Sequence, residues 1–326
     1  MQSLFEGKVV LAPMVRAGTL PMRLLALEYG ADLVWSPETV DKKIISCERV
    51  ENYRLGTIDY IIKEKNSLVL RTHPRERSRF IFQLGSADPE LAVKAALRVR
   101  QDVSGIDLNC GCPKRFSLQA GMGAALLSQP DLLCSILRRL VQALPELPVS
   151  AKIRLLPDLQ QTLDLVKQIA ATGISALTVH CRTPAERPRN PAHHEFLPEI
   201  VKLCPFPVIV NGDMFDRALW NQLRDSTGVK SVMLARPAMW NPSIFQETPD
   251  SDIHQVTKRY LEKCIEVENR FGNCKYTVLQ MWIDRPFTDK HFTARLQSCK
   301  SMVELCAIFD VPYSHQTSAE ELIEDE

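Results

Sequence analysis

No apolar run in the 326 residues is long enough to cross a bilayer, so no membrane anchor is expected. The chain also lacks an excess of either charge. Its formal net charge of +1 gives no global field for a polyanion, so any phosphate or nucleic-acid site must be a local patch. The N-terminal stretch MQSLFEGKVVLAPM has no secretory apolar core with a small-residue cleavage site and enters a strand pattern almost at once. No GxGxxG follows that first strand, which removes the usual anchor of a dinucleotide-binding doubly wound sheet. The ten cysteines are scattered and form no pair of zinc-spaced couples, so neither a metal site nor a secreted disulfide framework is expected. The expected setting is intracellular with reduced thiols, in the cytoplasm and with the nucleus as a second compartment.

What the sequence does have is a recurring pattern. Eight short, β-branched apolar runs occur at 8–14, 31–36, 79–86, 105–111, 149–155, 176–182, 207–213 and 231–237, most of them followed by a turn and an amphipathic stretch. The runs are too continuously apolar for a sheet wetted on one face and suit parallel strands covered by helices. Asp88-Pro89, Gln129-Pro130 and Pro157-Asp158 read as helix starts, and Gly30 and Gly173 as stops. Eight strand-helix alternations predict an α/β fold, a (β/α)8 TIM barrel over residues 1–245, with a small hairpin around SLVLRT. After residue 245 only helical periodicity remains, so a helical domain is expected over 246–316, with an acidic, fraying tail at 317–326.

In a barrel of this kind the chemistry gathers where strands end. The ends here offer Pro13-Met14, Gln83, Asn109 with Cys112, Lys152, His180 with Arg182, Asn211-Gly212-Asp213, and Arg236. The last two, VNGD and ARPAMWNP, fall where barrels often hold a phosphate, with small residues for close approach and Arg236 as a bidentate cation. A phosphate site, a strand-end lysine and a glutamine together suggest flavin mononucleotide (FMN), with Gln83 on the polar ring edge and Lys152 near the atoms that carry charge on reduction. A Schiff-base role for Lys152 is the competing use. Cys110-Gly111-Cys112 is CxC, too close for a relaxed disulfide. Packing suits Cys110. For Cys112, beyond the strand and ahead of Pro113, the residues leave packing and proton donation to a carbon centre equally open.

LAPMVRAGTLPMRLLALEYGADLVWSPE, GIDLNCGCPKRFSLQAGMGAALL, AKIRLL, TVHCRTPAERP, VNGD and ARPAMWNPSIF together resemble the tRNA-dihydrouridine synthases, most nearly the eukaryotic branch acting on uridine 20 of the tRNA D-loop. The resemblance runs from about Val9 to Phe245 and, less specifically, through the helices beyond. It implies an FMN barrel followed by a tRNA-recognition domain, NADPH as reductant, and reduction of a uracil C5–C6 double bond. Position by position it makes Cys112 the general acid. It puts Pro13, Met14, Val15, Gln83, Lys152, His180, Asn211, Gly212, Asp213, Ala235 and Arg236 against FMN, and Asn109 and Arg182 at the substrate. Cys110 stands where methionine is usual, Cys181 where glycine follows the histidine, and Ala235 where glycine often precedes the phosphate arginine. Animal relatives add a double-stranded-RNA-binding domain that does not follow here, so tRNA contacts are expected from the barrel rim and helices of a monomer. RTHPRERSR (71–79), CRTPAERPR (181–189), Lys258, Arg259, Arg270 and Lys275 are the basic clusters available, with Phe116 and Trp240 as candidate base-stacking rings. A flavin enzyme reducing or oxidising a free pyrimidine, of the dihydroorotate dehydrogenase type, is the alternative.

Overall fold

The computed structural model describes residues 4–283, 290–313 and 323–324. All eight apolar runs become parallel strands: β1 (Val9–Leu11), β2 (Leu33–Trp35), β3 (Phe80–Gly85), β4 (Gly105–Cys110), β5 (Val149–Arg154), β6 (Ala176–His180), β7 (Val208–Asn211) and β8 (Ser231–Leu234). Each pairs with the next, and β8 returns to β1 through Val9↔Val232, Val10↔Met233 and Leu11↔Leu234, closing the barrel.

Strand period decides what faces inward. Val10, Trp35, Ile81, Ile209 and Met233 cluster inside the barrel with Phe5, whose segment plugs the end where the strands begin. Their immediate neighbours, such as Leu11, Val34, Phe82, Val210 and Leu234, pack outward under the helices. Continuing the inward parity to the other ends of the strands brings Gln83, Asp107, Asn109, Lys152, His180 and Asn211 to one mouth.

The covering helices start and stop where the sequence signals them. These are α1 (Leu20–Glu28), α2 (Pro89–Val99), α3 (Pro130–Ala143), α4 (Leu159–Ala170), α5 (Leu197–Leu203) and α6 (Arg217–Thr227). Asp88 accepts from the N–H groups of Glu90 and Leu91, both at 2.8 Å, and Asp158 accepts from Gln161 at 2.9 Å. Gly30 and Gly173 take φ of +102° and +86° to end α1 and α4.

The expected hairpin is a three-stranded antiparallel insert of Glu48–Asn52, Thr57–Ile62 and Ser67–Thr72. From the tail, Ile323–Glu324 pairs alongside Ser67–Leu68, and the rest of 317–326 lies outside the described residues. Beyond the barrel come α7 (Ile253–Glu266), α8 (Phe271–Trp282), α9 (Lys290–Ser298) and α10 (Met302–Ile308). The expected boundary at 245/246 falls between the short 3-10 turn Pro242–Phe245 and α7.

The insert ties these helices to the barrel. Arg71 pairs bidentately with Asp59, both contacts at 2.7 Å, and donates to the Val267 carbonyl at 2.6 Å. Arg75 pairs with Glu266, Arg54 with Glu268, and Lys263 of α7 reaches Glu28 of α1 at 2.7 Å. Beneath them Arg23 and Glu76, both buried, form two hydrogen bonds of 2.8 Å. This revises the reading of RTHPRERSR: Arg71 and Arg75 are engaged by carboxylates and by the backbone of the helical unit. Lys275 likewise donates to the Gln297 and Cys299 carbonyls. Trp240 lies parallel to Phe215, at 8° and 5.9 Å between ring centroids, whereas Phe116 stays 52% exposed beside the mouth.

Candidate active site

At the end of β4 the chain turns sharply, and Asn109 makes the turn. Its Oδ1 accepts from the N–H groups of Gly111 at 2.9 Å and Cys112 at 3.0 Å. Cys110 remains in the strand, fully buried. Cys112 comes out half-buried on the mouth side of the turn. The two thiols therefore part company within three residues: Cys110 is packing, Cys112 borders the cleft. The amide of Asn109, expected at the substrate, is engaged in shaping this turn. The loop returns through Gly123, whose φ of +59° lets Ala124 N–H reach the Cys112 carbonyl at 3.0 Å. Burial and the neighbouring charge of Glu38 push the Cys112 thiol up, so it holds its proton at neutral pH.

On the floor of the mouth sits a polar group that the sequence reading passed over. Asp107 is fully buried and accepts from Gln83 Nε2 at 2.8 Å and from Ser150 Oγ at 2.6 Å. Burial pushes its carboxyl up to about 6, against the pull of those bonds and of Lys152. Lys152 is pushed down to about 8, by burial first and Arg154 second, while Asp107 opposes the shift. The signal available was an aspartate inside an otherwise apolar strand, at the inward parity. Gln83, whose N–H is held by Ser36 Oγ at 2.8 Å, is thus fixed in both backbone and side chain.

Around the mouth, β6 to β8 enclose a cavity of about 210 Å³ lined by Arg154, His180, Arg182, Asn211, Gly212 and Arg236, among others. Asp213 holds two of its cations: Arg182 at 2.6 and 2.5 Å, and Arg236 at 2.6 Å. Burial works to raise the Asp213 carboxyl, but these partners and the Ala192 N–H outweigh it and hold it low. Two acids, Glu186 and Asp213, face four arginines, since Arg187 also lines the wall, so the cavity is net positive. His180 is driven strongly down by burial and by the cations Lys152, Arg154, Arg182 and Arg236, which leaves a neutral imidazole.

Gly212 forms part of the cradle. With φ of +114°, it approaches so closely that a Cβ there would lie 3.2 Å from both His180 Cδ2 and Ala192 Cβ. Ala235 lines the wall and precedes the short helix Arg236–Trp240. Pro13 and Met14 sit half-buried at the end of β1, and Val15 projects outward, 63% exposed. Arg182, expected at the substrate, is 2% exposed and is held by Asp213 and by the Asn190 carbonyl at 2.8 Å. Its place is the cation-lined cavity.

The cavity thus gathers arginines suited to an anion, beside a mouth that holds a fixed Gln83, Lys152 and a neutral His180. Among solved structures, the histamine dehydrogenase of Rhizobium sp. 4-9 matches 78% of this chain and 49% of its own at a TM-score of 0.53 and 10% identity, a likeness of fold. The tRNA-dihydrouridine(20) synthase (NAD(P)+) of Schizosaccharomyces pombe is 45% identical over 97% of this chain and 67% of its own length. The enzyme of the same name from Saccharomyces cerevisiae is 42% identical over 98% of this chain and 88% of its own. The family model described as dihydrouridine synthase matches residues 10–322, and the chain belongs to the dihydrouridine synthase family.

Proposed function

We propose that this chain is a flavin- and NAD(P)H-dependent tRNA-dihydrouridine synthase that reduces the C5–C6 double bond of uridine 20 in the tRNA D-loop, with FMN as its flavin. The observation that carries the reading is the placement of a half-buried Cys112 and a cation-lined cavity on the same barrel mouth. The two similar yeast enzymes, named for position 20, support the choice of site.

The residues at the mouth fit a flavin with a single phosphate. Arg236 and Arg182 suit the phosphate, Gly212 gives the backbone close approach, and Asn211 is held in place by its bond to the Met233 carbonyl at 2.9 Å. Gln83, Lys152, His180 and Met14 suit the ring. When bound, the flavin carries reducing equivalents from NAD(P)H to the pyrimidine as hydride. With a flavin bound, Lys152 would offer a cation to offset the negative charge that reduction adds, and neutral His180 would offer a hydrogen-bonding group without a competing charge. The target base, folded inside tRNA, has to leave its stack to enter the mouth. Cys112 then gives its proton to C5. Val15 and Phe116, both exposed at the rim, offer apolar surface to the flanking nucleotides. The helical unit, clamped beside the mouth by the insert, serves as the tRNA-docking part. Ten cysteines, none of them in a disulfide, support a reducing, cytoplasmic setting.

Purified protein should be yellow, release FMN rather than FAD on heat denaturation, and reduce an unmodified tRNA transcript with NADPH far more efficiently than free uridine. Equal efficiency on free uridine would favour a small-molecule pyrimidine reductase instead.

A further inference from the structure

Glu38 follows β2 in the WSPE stretch, and its carboxylate is placed where a carboxylate is costly. Both oxygens are buried, and neither has a hydrogen-bond partner of standard geometry. What the group faces is the side chains of Cys112 and Asn109. Room for it is made by Gly85 at the end of β3: a Cβ there would lie 2.6 Å from Glu38 Oε1 and 3.2 Å from Cγ. Asn109 settles the direction of this contact. Its oxygen is occupied by the two backbone N–H groups of the turn, so its NH2 is the end available to Glu38. A protonated thiol beside a carboxylate can likewise serve it only as donor.

We propose that Glu38 is the positioning residue for Cys112: its carboxylate takes the thiol S–H, aims it, and keeps the proton on sulfur until the base arrives. The inference rests on the reading of Cys112 as proton donor. Glu38 is needed because other charges face the same sulfur. Lys152 and Arg154, both on β5, interact electrostatically with Cys112 and favour a thiolate. A thiolate has no proton to give. Burial is the larger force that raises the Cys112 thiol, and Glu38 is the opposing charge that adds to it, against the Lys114 N–H and Ser117. In the reaction, hydride arriving at C6 moves the double-bond pair onto C5. The C5–H bond forms as the S–H bond breaks, leaving a thiolate. Water at the mouth returns a proton to sulfur once product leaves, a return that the Glu38 charge favours.

The test is the alkylation of Cys112 by iodoacetamide in the flavin-loaded protein, followed across pH by mass spectrometry of the Cys112 peptide. Glu38→Gln, of the same size, should alkylate several-fold faster at neutral pH, with its profile moved to lower pH. The high-pH loss of tRNA reduction should move the same way, with flavin content unchanged. Gly85→Ala should reproduce both effects by pushing the flexible carboxylate aside, and it serves if Glu38→Gln does not fold. An alkylation profile superimposed on that of the unsubstituted protein would overturn the proposal, and so would a moved alkylation profile with an unmoved rate profile. Full turnover by Cys112→Ala would instead sink the proton-donor reading, and is measured separately.

Discussion

A Cβ added to Gly123 would lie 2.6 Å from the Cys112 carbonyl oxygen and 3.0 Å from the Cys112 Cβ. The glycine is thus the back wall against which the reactive loop is set. Backbone atoms cannot swing aside as a side-chain tip can, and φ of +59° strains any other residue. Gly123→Ala should therefore displace Cys112. Turnover on tRNA should drop by about 10²-fold, the scale of an ångström-sized misplacement. Flavin absorbance should persist, because the cation-lined cavity lies across the barrel mouth. Unchanged turnover would show that the loop position is not set here.

The two thiols of CxC should separate cleanly. Cys112→Ala should bind flavin and accept electrons from NADPH, yet lose ~10²–10⁴-fold in dihydrouridine formation, the usual contribution of a positioned acid. Cys110→Met restores the residue common in the family and should leave the chemistry alone. It is not neutral for the fold, however. Cys110 is fully buried among packed side chains, and the extra volume should lower stability by about 1–3 kcal/mol. Thermal melts and single-turnover assays of both variants distinguish the roles.

Lys152 gives a pH signature with a definite sign. Its ammonium lies at about 8 in the folded chain, below its ordinary 10.5. Between those values the unfolded chain binds more protons, so stability should rise with pH, by at most about 1.4 kcal/mol per pH unit. Below pH 8 the full penalty of burying the ammonium is present. Flavin-free Lys152→Met should accordingly melt higher than the unsubstituted protein at pH 7 and lose the rise above pH 8. It should also reduce bound flavin more slowly. A lower melting temperature at pH 7 would mean that Lys152 supports the fold rather than the chemistry.

Asp213 holds Arg182, which is 2% exposed, and it does so from a left-handed backbone conformation with φ of +55°. Asparagine tolerates that conformation, so Asp213→Asn removes charge without backbone strain. The arginine left behind is a buried, unpaired cation, and the loss should approach the lower end of the ~3–5 kcal/mol seen when such pairs are broken. A phosphate placed in the cavity supplies the missing anion. Added FMN should therefore raise the melting temperature of Asp213→Asn more than that of the unsubstituted protein. An equal rise in both would place the phosphate elsewhere.

The barrel was legible because its strands are short, apolar and evenly spaced, and because inward parity carries each strand-end residue to the same mouth. Lys152, His180 and Asn211 reach the mouth that way, and Cys112 and Arg236 follow just beyond the ends of their strands. Asp107 and Glu38 were not legible. A single acid within an apolar run carries no periodic signal, and Glu38 meets Cys112 only because parallel pairing sets the ends of β2, β3 and β4 side by side. The insert strand Glu48–Asn52 is too polar to show as a strand on its own. Arg71 looked like an RNA contact for the same reason that it makes a good clamp: guanidinium groups suit phosphates, carboxylates and carbonyls alike.

The joint between the barrel, its insert and the helices uses two kinds of partner. Beside the ion pairs to Glu266, Glu268 and Lys263, Arg71 of the insert grips the Val267 carbonyl and Arg16, in the loop after β1, donates to the Gly272 carbonyl at 3.2 Å, so two of the attachment points on the helical side are backbone atoms that every residue possesses. Mutations that alter the side chains around these points leave that part of the grip intact, whereas loss of either arginine releases it. The helical unit is in this respect a replaceable head on a fixed mount, free to change which surface it offers while the barrel beneath it keeps its geometry.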